Sequence, residues 1–297
     1  MPHLWRWGNF ANVEYFSGLS ATPVTCPYRA EQATGLAGGY DLKDGKMKFT
    51  QRYTAKWHDT DVNRQMRPSA LVTYMQETAN QHLIYLGISL DELRDRYGLA
   101  FILGSISVRI YEPLYAGDAI EVQTWTCGEK GFRHNRCFSV ACGEKIVAEA
   151  TSQWALINLK DGSLVKIEDM PYDVKPDIAI TLPDLPPRLK IPPVSEMEQM
   201  GERRIVYSDI DYNGHMNNTH YPDMLCDFVP DIRENRVSGM VLSYRHEATF
   251  GHTLRVFCTK TEGGYLLCTL DEDGTVCTEA FLKLTPVTTQ DSCLQGD

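Results

Sequence analysis

The segment SDIDYNGHMNNTH, residues 208–220, concentrates side chains that can do chemistry. An acid, an amide and an imidazole stand at alternate positions, Asp211, Asn213 and His215. Groups of these types orient one another, donate hydrogen bonds and exchange protons during catalysis. From Asp209 onward the segment also reads D-x-D-x-N-G, which is how a calcium loop of the EF-hand type begins.

The calcium interpretation fails at the closing ligand and at the flank. Counted from Asp209, the twelfth position is His220, where an EF-hand loop needs a bidentate glutamate. The preceding residues, RRIVYSD, are β-branched and aromatic and predict a strand where an EF-hand needs a helix. A zinc site would need clustered Cys and His residues, which the sequence lacks. We therefore expect neither a metal nor another cofactor.

The bulk composition is that of a globular protein of 297 residues, with 43% hydrophobic and 23% charged residues. No apolar run approaches the roughly 20 residues of a membrane helix, and the start, MPHLWRWGNF, lacks the apolar core of a signal peptide. Nine cysteines without a C-x-x-C pair predict reduced thiols and a cytoplasmic location. The net charge of −10 argues against nucleic acid as a partner.

The motif occurs twice in the chain. The segment HDTDVNRQM, residues 58–66, aligns without a gap on SDIDYNGHM, residues 208–216. The matching residues are Asp59, Asp61, Asn63 and Met66 in the first copy and Asp209, Asp211, Asn213 and Met216 in the second. Both copies follow an extended segment and precede a helical pattern, so the chain is expected to contain two similar halves.

Each copy is followed by one helix and then by strands only. In the first half, Pro68 suits a helix start and apolar residues recur at helical spacing. In the second half, a stripe from Tyr221 to Phe228 predicts a helix that Pro230 ends. This order predicts an α+β fold, a tandem or double hotdog, in which a curved antiparallel sheet wraps a long helix in each half.

The same patterns predict the domain boundaries. Residues 1–46 are expected to be a poorly ordered extension and residues 47–170 the N-terminal hotdog. A proline-rich linker, residues 171–195, leads to the C-terminal hotdog, residues 196–290, and residues 291–297 form a tail. A chain of this kind is expected to be a monomer, as a pseudo-dimer, or a homodimer.

Three blocks resemble motifs of the acyl-acyl carrier protein thioesterases of bacteria and plant plastids. DIDYNGHMNNTHY is similar to the family's D-x-N-x-H-V-N-N block, and TWTCGEKGFRHNR to a Trp-bearing strand followed by a Gly-Lys-rich turn. LSYRHEATFG resembles a block in which a Glu follows a Tyr-Arg pair. The resemblance implies hydrolysis of fatty acyl-acyl carrier protein to free fatty acid. The alternatives are an acyl-coenzyme A thioesterase of the hotdog superfamily and a non-catalytic acyl-binding double hotdog.

The resemblance places the family's active-site residues on Asp211, Asn213, His215 and Glu247. Glu247 is the candidate base, and Asp211 would orient its neighbours. Taken one at a time, each of these residues has a plainer interpretation as a cap, a structural histidine or a surface acid. The cysteine of plant members is Ala248 here, so a cysteine nucleophile at this position is excluded and water is the expected nucleophile.

The second half is expected to hold the chemistry, because Gln65 replaces the histidine in the first copy and an amide cannot exchange protons near neutral pH. The first half would then shape the acyl pocket. The residues predicted to bind substrate there lie on the first helix, Val72, Met75 and Ala79. Asn217, at the start of the second helix, would bind substrate beside N–H groups that are free to hold an oxyanion.

Basic residues cluster beside a turn in the second block, at Lys130, Arg133 and Arg136. Such a cluster is often a solvated hairpin face. It is also the predicted docking surface for acyl carrier protein, since a chain of charge −10 needs a local positive patch to attract an acidic partner. Arg203 and Arg204 are the second candidate. No membrane insertion is expected.

Overall fold

A computed structural model describes residues 39–43, 46–172 and 189–287 of the chain. Its helices are α1 (Pro68–Tyr85), α2 (Leu90–Asp95) and α3 (Tyr221–Cys226). Its strands are β1 (Gly39–Lys43), β2 (Lys46–Thr54), β3 (Leu99–Ile110), β4 (Ala119–Lys130), β5 (Arg133–Cys142), β6 (Lys145–Asn158), β7 (Leu164–Val165), β8 (Glu198–Arg204), β9 (Asn235–Tyr244), β10 (Thr253–Thr261), β11 (Gly264–Leu270) and β12 (Val276–Pro286).

The strands form one antiparallel sheet that contains the same arrangement twice. Its order is β1-β2-β4-β5-β6-β3-β9-β12-β11-β10-β8, with β7 paired to β6. The first half therefore runs β2-β4-β5-β6-β3, and the second half runs β8-β10-β11-β12-β9 in the opposite direction. The halves meet where β3 pairs with β9, from Ser105 opposite Ser243 to Arg109 opposite Gly239. Equivalent edge strands pair with each other, as an approximate two-fold axis requires.

Helix α1 begins and runs as the sequence predicts. Pro68 occupies its first turn, where the missing N–H costs little. The apolar residues at helical spacing are Leu71, Val72, Met75, Ala79, Leu83 and Leu86. The first four are buried, whereas Leu83 is half-buried and Leu86, just past the end of the helix, is exposed. Helix α1 packs on β2 and β4 and also contacts α3 of the second half.

Helix α3 is shorter than predicted and corrects the expectation of a long helix in each half. It covers the six residues Tyr221–Cys226 and follows a 3-10 turn, Asn218–His220. Pro222 lies in its first turn as expected, and Phe228 lies beyond its end. The helix cannot extend toward Pro230, because a proline ring clashes with the carbonyl group four residues earlier. Tyr221, Met224 and Leu225 are buried as predicted.

The two halves share one hydrophobic core. The largest cluster of buried side chains contains Met75 and Phe138 of the first half together with Met216, Leu225 and Leu267 of the second. Because apolar side chains from both halves pack in the same cluster, the halves stabilise each other and form one structural unit.

Several predicted boundaries shift. The sheet begins at Gly39, inside the predicted poorly ordered extension, because β1 pairs with β2. Most of the predicted linker and the whole predicted tail lie outside the described residues. At the linker's end, Ile191 and Val194 pack on a small apolar cluster around Met197 and Phe257. Within the described ranges, no helix is long and apolar enough to cross a membrane.

Candidate active site

A tight loop carries three of the four predicted catalytic residues. The N–H of Asp211 donates to the carbonyl of His215 over 3.0 Å, and the N–H of Gly214 donates to the carbonyl of Asp211 over 3.0 Å. Gly214 has a φ of 88°, a conformation that side-chain-bearing residues rarely adopt. These bonds close the loop, in which Asp211, Asn213 and His215 are half-buried and the residues between them are exposed.

The structure brings the four predicted residues together. Nδ1 of His215 lies 3.9 Å from Oδ1 of Asp211, and Nε2 lies 3.7 Å from Oε1 of Glu247. The backbone N–H of Asn213 donates to Oδ1 of Asp211 over 2.8 Å, and its amide Nδ2 lies 3.4 Å from Oδ2. The side chains of Asp211, His215 and Glu247 are 16%, 20% and 33% exposed, so the cluster is shielded but open to substrate. The imidazole lies between two carboxylates at distances that one water or a closing substrate can bridge.

Glu247 follows β9 and is held from both sides. The N–H of His246 donates to the carbonyl of Cys277 on β12 over 3.2 Å. On the other side, the N–H of Met216 donates to the carbonyl of Ala248 over 2.7 Å. Because its neighbours on both sides are bonded, the position of Glu247 relative to the loop is set by the backbone.

Asp209 anchors the loop, a role that the sequence interpretation missed. Its carboxylate accepts hydrogen bonds from Nη2 of Arg203 at 2.8 and 3.0 Å and from the N–H of Val206 at 2.8 Å. It is 6% exposed, and a buried carboxylate is stable only when paired and hydrogen-bonded in this way. Arg203 is therefore part of the loop's support, which corrects its place in the second docking candidate. The presence of an aspartate at the matching position of both copies, Asp59 and Asp209, could have indicated this structural role.

Asn217 is a structural cap. Its N–H donates to the carbonyl of Asp209 over 2.8 Å. Its Oδ1 accepts from both the N–H and the hydroxyl of Thr219, each at 3.0 Å, and its carbonyl accepts from the N–H of His220 at 2.9 Å. The N–H groups of residues 217, 219 and 220 are thus occupied, so they are not free for an oxyanion in this arrangement. Substrate binding at Asn217 stays a prediction.

The first copy of the motif keeps the loop but has Gln65 in place of the imidazole. The N–H of Asp61 donates to the carbonyl of Gln65 over 2.8 Å, and the N–H of Arg64 donates to the carbonyl of Asp61 over 3.0 Å. Arg64 has a φ of 63° where the second copy has glycine, and no other non-glycine residue in the described ranges has a positive φ. The hydrogen bonds match those of the catalytic loop pair by pair.

The backbone pairing also identifies the counterpart of Glu247. The N–H of Met66 donates to the carbonyl of Leu114 over 2.7 Å, just as the loop of the second half bonds to Ala248. The residue before Leu114 is Pro113, so the first half lacks the carboxylate as well as the imidazole. The first half therefore has no counterpart of the His215 imidazole or the Glu247 carboxylate, the two groups that could exchange a proton.

Val72, Met75 and Ala79 are brought together on α1 and are 1%, 0% and 4% exposed. They pack in the main core. They do not line the cavity of about 270 Å³ at the first loop, to which α1 contributes Pro68 and Leu71. Their role in holding an acyl chain therefore stays a prediction.

Arg136 corrects the predicted docking surface. It is 3% exposed, and its Nη1 donates to Nδ1 of His82 over 3.0 Å and to Oγ1 of Thr124 over 3.2 Å. Burial and the Arg136 charge lower the pKa of His82 to about 3, so the imidazole is a neutral acceptor. The residues of β5 turn inward directly after the exposed Arg133. The side chain of Lys130 lies outside the described part of the chain.

The fold and the site define a class of protein, a tandem hotdog with a D-x-N-x-H loop in its second half. Two family models match the chain, the acyl-ACP thioesterase N-terminal domain over residues 46–174 and the acyl-ACP thioesterase C-terminal domain over residues 194–281. The chain belongs to the acyl-ACP thioesterase family, as its motifs predict.

Curated relatives include a chloroplastic palmitoyl-acyl carrier protein thioesterase of Cuphea hookeriana, 26% identical over 70% of this chain and 54% of the relative. The oleoyl-acyl carrier protein thioesterase of Coriandrum sativum is 22% identical over 69% of this chain and 61% of its own length. The chain thus spans little more than half the length of these relatives.

Solved structures with the same fold include an acyl-ACP thioesterase from Bacteroides thetaiotaomicron, at a TM-score of 0.69 and 23% identity. That alignment covers 80% of this chain and 97% of the other. The 12:0-ACP thioesterase from Umbellularia californica gives a TM-score of 0.69 at 21% identity, over 81% and 98% of the two chains. These likenesses confirm the predicted α+β double hotdog.

Proposed function

We propose that the protein hydrolyses the thioester of fatty acyl-acyl carrier protein, releasing free fatty acid and carrier protein. The observation that carries the proposal is the position of His215, 3.9 Å from Asp211 and 3.7 Å from Glu247 on a loop that also presents Asn213. Acids, an amide and an imidazole at this spacing can polarise a carbonyl group and activate water.

Water is the proposed nucleophile. Ala248 stands at the family's cysteine position, and Cys277, whose carbonyl bonds to the segment before Glu247, is a poor substitute. Its side chain is fully buried, and desolvation raises the pKa of its thiol to about 12. A buried, protonated thiol is a weak nucleophile.

The proposed reaction begins when Glu247 accepts a proton from a water that attacks the carbonyl carbon. The carbonyl oxygen takes up negative charge, which hydrogen bonds from His215 and the Asn213 amide stabilise. The carbon–sulfur bond then breaks, and the proton held by Glu247 passes to the departing sulfur to give the carrier's free thiol. Asp211 keeps the imidazole and the amide oriented throughout.

The carrier protein is the proposed acyl donor because the relatives' names specify acyl groups on acyl carrier protein. Arg133, exposed at the start of β5, is the remaining described member of the predicted docking cluster. The acyl chain is proposed to lie along α1 of the first half. A cytoplasmic location and a monomer or homodimer belong to the same proposal. The seven cysteines in the described ranges are free thiols, which fits a reducing compartment.

Thiol release from a panel of acyl-carrier and acyl-coenzyme A substrates of matched chain lengths tests the proposal. We expect kcat/KM to favour the carrier substrates by at least about tenfold, since only they can use a protein docking surface. His215→Gln, which places the first copy's amide in the second copy, is the matched inactive control. Preference for coenzyme A would establish the superfamily alternative. Binding of acyl groups without turnover of either substrate would establish the non-catalytic alternative.

A further inference from the structure

A cavity of about 270 Å³ opens beside the first, non-catalytic loop. Both halves line it, which places it at the interface between them rather than inside one hotdog. Its apolar wall includes Met66, Leu71, Leu114, Ile232 and Val237. Concave, mostly apolar sites with few polar groups are the usual form of small-molecule pockets.

The polar group that distinguishes this cavity is the amide of Gln65. Gln65 lines the cavity, is 3% exposed, and has no hydrogen-bond acceptor for its Nε2 in the described part of the chain. A buried donor without an acceptor destabilises the folded protein. The position is also the structural counterpart of His215, on a loop with the same backbone hydrogen bonds. An acceptor atom from a ligand in the cavity would satisfy this donor.

The charges around the cavity favour a neutral acceptor over an anion. Four carboxylates line it, those of Asp61, Glu112, Asp223 and Asp227. Three arginines also contribute, but Arg67 lies 3.9 Å from Asp223 and is drawn toward it. A carbonyl oxygen accepts from an amide donor without adding a further negative charge to this wall.

We propose that this cavity is a second acyl-binding site, which holds an aliphatic acyl group through its neutral carbonyl oxygen and does not hydrolyse it. The carbonyl accepts a hydrogen bond from Nε2 of Gln65, and the chain lies against the apolar wall. Hydrolysis is excluded because Pro113 replaces the catalytic carboxylate and Gln65 replaces the imidazole. The choice of an acyl group rests on the proposed function, since the cavity's loop repeats the loop that would hold the thioester.

Calorimetric titration of the full chain with N-methyldecanamide, a neutral acyl amide that cannot be hydrolysed as a thioester, tests this site. We expect two equivalents to bind, one at each loop. Gln65→Leu keeps the side chain's size and removes the donor, so it should weaken one of the two equivalents by about tenfold. Decanoate should bind this site more weakly than the amide, because of the surrounding carboxylates.

Two further readouts separate binding from folding. Gln65→Leu should leave Tm unchanged or raise it, because the unsatisfied buried donor is gone, and it should leave turnover of acyl-carrier substrate near the parent value. Thr269→Val is the matched control, since the buried Thr269 hydroxyl also has no partner among the residues that the structure describes but lies outside the cavity. It should not affect the titration. Ile232→Trp, which fills the cavity from a loop, should reduce binding to one equivalent.

The proposal is overturned if the parent binds a single equivalent, or if two equivalents bind with affinities that Gln65→Leu and Ile232→Trp leave unchanged. The proposed function is judged separately, by thiol release from acyl-carrier substrate. A parent that binds two equivalents with the expected sensitivity but releases no thiol supports the cavity and refutes the hydrolase. A parent that releases thiol but binds one equivalent supports the hydrolase and refutes the second site.

Discussion

Asp211 is the residue whose charge, rather than shape, is proposed to orient the site. Asp211→Asn retains an oxygen that can accept the N–H of Asn213 but removes the negative charge beside His215. We expect a fold with unchanged Tm and a loss in kcat of about 10²-fold or more. Thiol release at saturating acyl-carrier substrate measures it. A variant that turns over like the parent would make Asp211 a structural cap only.

Gly214 links backbone conformation to catalysis. Its φ is 88°, and a Cβ added there meets no atom within 4 Å, so Gly214→Ala tests conformation alone. We expect Gly214→Ala to lower the free energy of unfolding by about 1 kcal/mol. It should also lower kcat about tenfold, because the loop positions His215. Gly87→Ala is the control, with a φ of 77°, equally open space and a position at the end of α1. Gly87→Ala should destabilise the protein by a similar amount and leave kcat unchanged. Equal losses of kcat in the two variants would show that the conformation of Gly214 has no particular role in positioning His215.

His82 and His134 predict how stability responds to acid. Burial and the nearby Arg136 lower the pKa of each from 6.5 to about 3. Between these values the unfolded chain binds protons that the folded chain does not, so unfolding becomes easier as pH falls below 6.5. His82→Gln should therefore lose about 1–2 kcal/mol less stability than the parent between pH 6.5 and 5.0. Urea unfolding of both proteins at pH 6.5 and 5.0 measures this difference. If the parent and the variant lose the same free energy of unfolding, His82 is protonated in the folded state as readily as in the unfolded chain.

Individual residues were predictable where a motif fixed them and not where packing did. Asp211, His215 and Glu247 stand in recognisable blocks, and the structure brings them together. Arg136 was misassigned because strand β5 is buried from His134 onward, which a hairpin pattern with charges at both ends does not reveal. Asn217 was predictable as a cap, but the hydrogen bonds that occupy its neighbours' N–H groups depend on the fold of the loop.

At the scale of elements, helix α1 is proposed to limit the length of the acyl chain that the protein accepts. Ala79 is 4% exposed on the stripe with Met75 and Val72. Ala79→Phe should shorten the preferred acyl chain and cost about 1–3 kcal/mol of stability through overpacking. Product profiles from mixed acyl-carrier substrates measure the shift. Glu77→Phe places the same side chain on the exposed face of α1 and should leave the profile unchanged. A folded Ala79→Phe variant with the parent profile would remove α1 from the pocket.

Element types were easier to predict than their extents. In the second half strands alone follow α3, as predicted, because alternating β-branched residues and Gly turns mark them. In the first half the short helix α2 intervenes before the strands, which corrects the prediction of a single helix there. The length of helix α3 was overestimated because the apolar stripe continues to Phe228, two residues past the end of the helix at Cys226. Strand β1 was missed because GYDLK, residues 39–43, carries too few apolar residues to show alternation, and its strand conformation depends on pairing with β2.

At the scale of the whole molecule, the chain carries a charge of −10, so docking of the proposed acidic carrier would need a local positive patch. Arg133→Glu should raise KM for acyl-carrier substrate by about 2–5-fold and leave turnover of a short carrier-free thioester near the parent value. Arg52→Glu makes the same charge change on β2, where Arg52 pairs with Glu121, and should alter KM less. Equal losses on both substrates would assign Arg133 to the fold or the site. The buried Arg136 cannot serve in this test, because its replacement by Glu would disrupt the core.

The internal repeat predicts two similar halves but not how they meet. The periodicity of the sequence does not specify which edge or which face of each half forms the junction. The pairing of β3 with β9 depends on which edge strand leaves backbone groups free once each half has folded, and local sequence does not contain that information.

The junction between β3 and β9 has an evolutionary consequence. Two identical subunits joined across such an edge would share every substitution, so neither active site could change without the other. Here the two units are consecutive segments of one chain, and each accumulates substitutions independently. One loop could therefore exchange its imidazole for an amide and its carboxylate for a proline while the other kept both. The proposed asymmetry, with hydrolysis at one loop and binding at the other, requires two units of different sequence, which a fused pair provides.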